Sequence, residues 1–243
     1  MPARRFFVRD AHHAGEVVAI HGSDAHKIVN VLRLRNGDLI EVVDSRGAVF
    51  AATLESKDGE LHARLTQARD APPEPSVVID VAQGIPKGQK MDFIVEKLGE
   101  LGVRSLLPLR SERTIVTDVG PAKLERWRRL ARSAAQQSGR TDLLDVTDPL
   151  PLAQLRLRFS EYDAVILPWE VAPGEPLRGV LPAIVGGART ILVVIGPEGG
   201  FSHAEAESAQ AAGAHLISLG SRILRTETAA LAVVAIPGYE FGV

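Results

Sequence analysis

The sequence predicts an α/β fold with a mostly parallel sheet, preceded by a small β-barrel domain. Residues 1–70 hold short apolar runs separated by turn signals, a pattern typical of a small barrel or sandwich. Beyond residue 75, short apolar runs alternate with longer segments of helical period, which indicates strand–helix–strand units. Between them, the proline-rich stretch Ala71–Pro75 predicts a stiff, extended linker. We therefore expect one domain at residues 1–71 and a second at residues 72–243.

Four strands and one helix are expected in the N-terminal domain. The strands are Val17–Ile20, Leu39–Val43, Val49–Leu54 and Leu61–Leu65. Turn residues at 36–38, 45–47 and 57–59 precede the second, third and fourth of these strands, respectively. A helix is predicted over Ser23–Leu34, with Ser23 or Asp24 as its N-cap.

Five strands and four helices are expected in the C-terminal domain. The strands are Val77–Gln83, Val103–Leu109, Asp163–Leu167, Thr190–Ile195 and Leu216–Leu219. The helices are Met91–Leu101, Pro121–Gln137, Ser202–Ala212 and Glu227–Ile236. Ser202 is followed three residues later by Glu205, so a capping box should begin the third helix. The apolar face of the first helix should contain Phe93, Ile94, Leu98 and Leu101.

Composition excludes several classes of protein. The chain has 243 residues and 45% hydrophobic content, which is enough for a sizeable core. It has no cysteine, so disulfides and thiolate metal sites are excluded, and its scattered histidines predict no metal site. No apolar stretch is long enough to span a bilayer, and no secretory signal opens the chain. We expect a cytoplasmic protein.

Charge is unevenly distributed along the chain. The net charge is −2, yet residues 104–140 hold nine basic and only three acidic residues. Such a segment fits an anionic partner, and it fits a solvated helix face equally well.

Three loops carry the strongest chemical signal. Residues 167–170, 195–200 and 219–225 each follow a predicted parallel strand, and parallel sheets bind ligands at the carboxyl ends of their strands. The second loop holds three glycines, one proline and one glutamate, which permits close approach of backbone to a ligand. A glycine-rich turn alone is commonly a tight connection, but the same design at three strand ends favours one shared pocket.

Common nucleotide-binding and hydrolase motifs are absent. No Gly-x-Gly occurs in the chain, which excludes the dinucleotide fingerprint of Rossmann folds. There is also no P-loop, no Gly-x-Ser-x-Gly elbow and no His-Glu-x-x-His helix. The predicted pocket therefore belongs to another class of α/β protein.

The loop sequences resemble those of SPOUT methyltransferases. The segments Ile195–Ser202 (IGPEGGFS) and Leu219–Ala230 (LGSRILRTETAA) are similar to the C-terminal signature of the 16S ribosomal RNA uridine-N3 methyltransferase family (RsmE). The similarity runs nearly end to end. Further matching segments are Arg5–Val8, His26 with Val31–Arg33, Lys97–Val103, Ser111–Thr114, Gln136–Arg140 and Pro168–Glu170. One departure is Gln136, where the family is expected to have Glu.

The resemblance implies a fold, a cofactor and partners. The C-terminal domain would be a knotted (trefoil) parallel sheet, and residues 1–71 would form a PUA-like RNA-binding domain. The enzyme would be a homodimer that uses S-adenosylmethionine to methylate N3 of a uridine in 16S ribosomal RNA of the small subunit. Two alternatives remain: another SPOUT enzyme that methylates a ribose 2′-hydroxyl or another base, and a non-catalytic RNA-binding protein of ribosome assembly.

The resemblance also assigns candidate residues. The catalytic candidates are Arg225, beside the oxygens of the target base, and Glu198, as proton acceptor or orienting group. Cofactor contacts are expected from Leu167, Pro168, Trp169, Glu170, Ile195, Gly196, Pro197, Glu198, Gly199, Gly200, Leu219, Gly220, Ile223, Leu224, Arg225, Thr228 and Ala229. RNA contacts are expected from Arg4, Arg5, Arg9, Lys27, Arg33, Arg35, Arg113 and Arg140. Thr226 and Thr228 are expected to cap the last helix or to contact the cofactor.

Overall fold

The chain forms two compact units. The computed structural model describes residues 4–57, 59–69, 75–116, 118–171, 175–176, 179, 182 and 187–241. One unit comprises Met1–Glu74 and Ala135–Asp142, and the other comprises Pro75–Ala134 and Leu143–Val243. The predicted linker lies outside the described residues except for Pro75, and the boundary expected after residue 71 stays a prediction.

The first unit is built on a five-stranded sheet. Its strands are β1 (Arg5–Phe7), β2 (Val17–Ile20), β3 (Leu39–Val43), β4 (Val49–Lys57) and β5 (Glu60–Arg69), in the order β1-β3-β4-β5-β2. Only β1 and β3 pair in parallel, and the other neighbours are antiparallel. The four predicted strands are present as β2 to β5, because alternating apolar residues there form one buried cluster.

The helix of the first unit differs from its prediction. The α-helical part, α1 (Gly22–His26), continues as a π-helical turn over Lys27–Val31, and Arg33 has a left-handed φ of 52°. The N-cap is His21, with no side-chain capping bond, so the expected cap was wrong. Asp24 is buried and accepts a hydrogen bond from Gln136 Nε2 at 2.9 Å, so its carboxylate binds a distant segment of the chain.

The second unit is a parallel sheet with helices on both faces. Its strands are β6 (Val78–Gly84), β7 (Ser105–Arg110), β8 (Asp145–Val146), β9 (Leu150–Pro151), β10 (Ala164–Pro168), β11 (Glu175–Pro176), β12 (Thr190–Ile195) and β13 (His215–Ser218). Their order is β11-β13-β10-β12-β6-β7-β8, with β9 also beside β7, and every pair is parallel. The predicted parallel sheet is confirmed, and the knot implied by the resemblance stays a prediction.

Five α-helices and one short 3-10 helix accompany this sheet among the described residues. They are α2 (Lys90–Glu100), α3 (Pro121–Ser138), α4 (Leu152–Arg156), the 3-10 helix Phe159–Glu161, α5 (His203–Ala211) and α6 (Thr226–Phe241). Sequence periodicity found α2, α3, α5 and α6, but α4 is too short to show a helical period. Within the described ranges, no helix combines the length and the apolar character needed to cross a bilayer.

Side chains of the sheet alternate between two cores. In β12, Ile191 and Val193 pack in one cluster, while Leu192 and Val194 pack in the other. The buried stripe of α2 is Met91, Ile94, Val95 and Leu98, which follows helical spacing. Phe93 lies off this stripe and is 45% exposed, so its expected place in the core was wrong.

A buried carboxylate joins three segments of the second unit. Asp80 in β6 is buried and accepts hydrogen bonds from Arg104 Nε at 2.9 Å and Nη2 at 2.6 Å. The Tyr162 hydroxyl donates to the same carboxylate at 2.9 Å. Burial, followed by the charge of Asp80, raises the pKa of Tyr162 to about 12. The neutral phenol therefore remains a donor throughout the neutral range and helps to compensate a charge that is costly to bury.

Candidate active site

The three predicted loops meet at one edge of the parallel sheet. Strands β13, β10 and β12 are consecutive neighbours, so their carboxyl ends lie side by side. The loops that follow them line a cavity of about 580 Å³, a size typical of small-molecule and cofactor sites. The pocket expected from the sequence is therefore present as a single cavity.

Most of the expected cofactor residues line this cavity. They are Pro168, Trp169, Glu170, Ile195, Gly196, Pro197, Glu198, Gly200, Leu219, Gly220, Ile223, Leu224, Arg225 and Ala229. The sequence prediction omitted five lining residues: Lys90, Phe201, Ser218, Ser221 and Arg222. Thr226, which was expected to cap the last helix or to contact the cofactor, also lines the cavity. Lys90 was missed because it lies in another part of the sequence, more than 70 residues before the first loop.

Three expected residues lie outside the cavity wall. Leu167 is fully buried in the sheet core, because successive strand residues point to opposite faces. Thr228 is exposed on α6. Gly199 faces Arg113 instead, whose Nη1 donates to the Gly199 carbonyl at 2.9 Å.

Glu198 is held by the segment that leads into α2. Its Oε1 accepts a hydrogen bond from the Lys87 backbone N–H at 3.0 Å and from Lys90 Nζ at 2.8 Å. Partial burial acts to raise the pKa of Glu198, but the hydrogen bonds from Lys90 and from backbone N–H groups outweigh it and lower that pKa below its ordinary value. The side chain therefore remains a carboxylate at neutral pH, and its geometry is fixed.

Two free cations stand at the cavity wall. Arg222 and Arg225 are both exposed, and neither side chain has a hydrogen-bond or ion-pair partner among the described residues. Ile223, between them, is 86% exposed. Unpaired guanidinium groups beside a pocket favour an anionic ligand or transition state there.

The capping box of α5 also fixes a neighbouring loop. Ser202 Oγ accepts from the Glu205 backbone N–H at 3.2 Å, and the Ser202 N–H donates back to Glu205 Oε2 at 3.0 Å, as predicted. The other carboxylate oxygen of Glu205 accepts from the Glu112 backbone N–H at 2.7 Å. Two hydrogen bonds therefore attach the 111–114 loop to the segment 199–205. One runs from the Glu112 N–H to Glu205 at the start of α5, and the other from Arg113 to the Gly199 carbonyl.

Most of the expected RNA-contacting cations are already paired. Arg5 donates to Glu41 at 2.8 Å and to the Gly139 carbonyl. Arg140 pairs with Asp142 at 2.5 Å. Arg4 contacts the Leu32 carbonyl at 3.4 Å, Lys27 donates to Gln136 at 2.7 Å, and Arg113 is bound to Gly199. Arg9, Arg33 and Arg35 are exposed, and their side chains have no partner in the described part of the chain.

Gln136, where the resemblance led us to expect a glutamate, has a structural explanation. Its amide donates to Asp24 and accepts from Lys27 Nζ at 2.7 Å. A glutamate at this position retains the acceptor for Lys27 but places a second carboxylate against buried Asp24. The amide therefore suits this pair of neighbours, and Gln136 is not among the residues that line the cavity.

Comparisons with known proteins agree with this architecture. A family model described as an RNA methyltransferase domain matches residues 72–237, and one described as an RNA methyltransferase PUA domain matches residues 20–66. The ribosomal RNA small subunit methyltransferase E of Bacillus subtilis is 32% identical, over 91% of this chain and 90% of its own length. The protein of that name from Mycobacterium bovis is 29% identical, over 98% and 92%.

A solved structure has the same fold over the whole chain. The ribosomal RNA small subunit methyltransferase E from Neisseria gonorrhoeae, bound to S-adenosylmethionine, superposes with a TM-score of 0.85 at 30% identity and covers 98% of each chain. The fold class predicted from the loop motifs is thus confirmed. A matching domain model, similar relatives and a full-length structural match together show that this chain belongs to the ribosomal RNA small subunit methyltransferase E family.

Proposed function

We propose that this protein transfers a methyl group from S-adenosylmethionine to N3 of a uridine in 16S ribosomal RNA of the small subunit. The observation that carries the proposal is the single cavity formed by the IGPEGG and LGSRILR loops in a member of this family. A ribosomal RNA substrate also agrees with the cytoplasmic location expected from the sequence.

The cavity wall fits S-adenosylmethionine, which supplies an electrophilic methyl group on a sulfonium cation. Gly200 has a φ of +64°, and a Cβ there would overlap the Glu170 carboxylate, so backbone and carboxylate lie side by side. Loops 195–200 and 219–225 would hold the cofactor through backbone groups and apolar side chains, while Glu170 offers an acceptor to its ammonium group. The Glu170 carboxylate suits a cationic ligand.

The residues at the wall also fit the chemistry of the target base. Uridine N3 carries a proton that must leave before or during attack, and the resulting negative charge spreads onto the flanking carbonyl oxygens. Arg225 is free to stabilise this charge. Glu198 acts by orienting Lys90 and the second loop, since its lowered pKa makes it a weak proton acceptor. The target uridine must be unpaired or flipped to enter.

The first prediction tests the reaction itself. Incubation with S-adenosylmethionine and small-subunit RNA from a strain lacking the enzyme should produce 3-methyluridine, identified by nucleoside mass spectrometry. Methylated ribose or another methylated base would support the related SPOUT activity instead. Cofactor binding by calorimetry with no methyl transfer to naked RNA or assembled subunits would support the binding-only alternative.

The second prediction separates the two catalytic candidates. Arg225→Ala should lower kcat by about 10²- to 10³-fold, the usual effect of removing one donor to a developing oxyanion. Glu198→Gln retains an acceptor for Lys87 and Lys90, so its rate should rise with pH as steeply as the wild-type rate does. Single-turnover rates from mildly acidic to mildly alkaline pH provide the measurement. A rate in Glu198→Gln that is lower by about 10²- to 10⁴-fold and rises more steeply with pH than the wild-type rate would identify Glu198 as the base instead.

The third prediction concerns the RNA surface of the first unit, which we assign to Arg9, Arg33 and Arg35 because these are its unpaired candidates. Filter binding across a salt series gives the slope of the logarithm of the binding constant against the logarithm of the salt concentration. The magnitude of this slope should fall by roughly 0.7 for each lost phosphate contact in Arg33→Ala and in Arg35→Ala. Arg64→Ala is a matched control, since Arg64 is paired with Glu55. An unchanged slope in both test variants would contradict the assignment.

The fourth prediction concerns the homodimer. Helix α6 is continuously apolar from Ala229 to Ile236, and a helix that is apolar on every side is normally buried. Ile236 and Tyr239 are nevertheless 44% and 89% exposed, and Phe93 of the adjacent α2 is 45% exposed. We assign these side chains to an interface with a second copy. Sedimentation equilibrium of the wild-type protein should give twice the 26.1 kDa chain mass. Phe93→Glu should shift the measured mass toward that of the monomer. A monomeric wild-type protein would exclude the dimer.

A further inference from the structure

A buried glutamine lies beneath the second cavity loop. Gln83, at the carboxyl end of β6, is 0% exposed. Its Nε2 donates to the Gly84 carbonyl at 2.9 Å and to Thr226 Oγ1 at 2.8 Å, while its Oε1 has no partner among the described residues. Burying an amide without satisfying every polar atom is costly, so ordinary core packing does not explain a glutamine here.

Thr226 extends this contact to the cavity. Its hydroxyl accepts from Gln83 and donates to the Gly196 carbonyl at 2.6 Å. Gly196 begins the second loop, and Thr226 begins α6 directly after the third loop. Two consecutive hydrogen bonds therefore join the end of β6 to both loops that line the cavity.

Gly84 holds the same peptide from another side. A Cβ on Gly84 would lie 2.6 Å from the Gly196 carbonyl carbon and would also overlap Pro197. The backbone at Gly84 is therefore in direct contact with the backbone of the second loop. The Gly196–Pro197 peptide thus rests on Gly84 and is bound through Thr226. Neither Gln83 nor Gly84 lines the cavity, so the position of this wall is set from outside it.

We infer that Gln83 is a positioning residue for methyl transfer, acting through Thr226 on the Gly196 carbonyl. The inference rests on the proposed function. Methyl transfer requires the nucleophile in line with the methyl group, and a displacement of about 1 Å in such a reaction can cost about 10²-fold in rate. Loss of the Gln83–Thr226–Gly196 chain should therefore affect kcat more than it affects cofactor affinity.

Isosteric variants test this chain. Gln83→Met and Thr226→Val each remove hydrogen bonding with little change in volume, and each should lower kcat by about 10²-fold with a smaller change in the Kd for S-adenosylmethionine. Thr226→Ser retains a hydroxyl and should recover most of the rate. The double variant should lose no more than either single variant, because both interrupt one chain.

Controls make the outcome decisive. Tyr162→Phe removes a hydrogen-bonded hydroxyl near the other end of β6 and should alter thermal stability without altering kcat. Wild-type kcat in folded Gln83→Met and Thr226→Val would overturn the inference, and equal losses in kcat and cofactor affinity would do the same. If Gln83→Met fails to fold, Thr226→Val and its serine counterpart decide. Failure of the proposed function would appear in the wild-type protein, whereas failure of this inference would appear only in the variants.

Discussion

Parallel pairing of β12 between β6 and β10 is the constraint on which the second unit depends. Residues 191–195 are buried throughout this strand, with helices covering both faces, so its position is fixed by two hydrogen-bonded neighbours and two apolar cores. The three loops that form the cavity follow β10, β12 and β13, and they adjoin because these strands do. A ligand site at this edge is thus a consequence of strand order.

The second loop is fixed by several independent contacts, which explains its composition. Glycine at 196 and at 200 allows backbone to pack against backbone or carboxylate. Glu198 is bound to the start of α2, and the Gly199 carbonyl to Arg113. A loop attached at so many points is pre-organised, so little conformational entropy remains to be lost when a ligand binds.

Charge along the sequence does not predict which cations are free in the structure. Several cations of the basic segment 104–140 are paired with carboxylates in space: Arg104 with Asp80, Arg126 with Asp92, Arg128 with Glu125 and Arg140 with Asp142. Within the described ranges, Arg222 and Arg225 are the cavity-lining cations without a side-chain partner, and they lie in a segment with no excess of basic residues. Whether a cation is free depends on which carboxylates lie near it in space, and a count of charges along the chain does not give that information.

The sequence by itself determined the parallel sheet, the long helices, the capping box of α5 and the three-loop pocket, since each depends on local periodicity or on a short motif. Only the tertiary structure decided the rest. In the structure, the first helix ends in a π-helical turn and Phe93 is exposed. Gln136 forms hydrogen bonds to Asp24 and Lys27. Lys90, Gln83 and Gly84 lie close to the second loop. These outcomes depend on contacts between residues far apart in the chain, and local patterns carry no information about such distances.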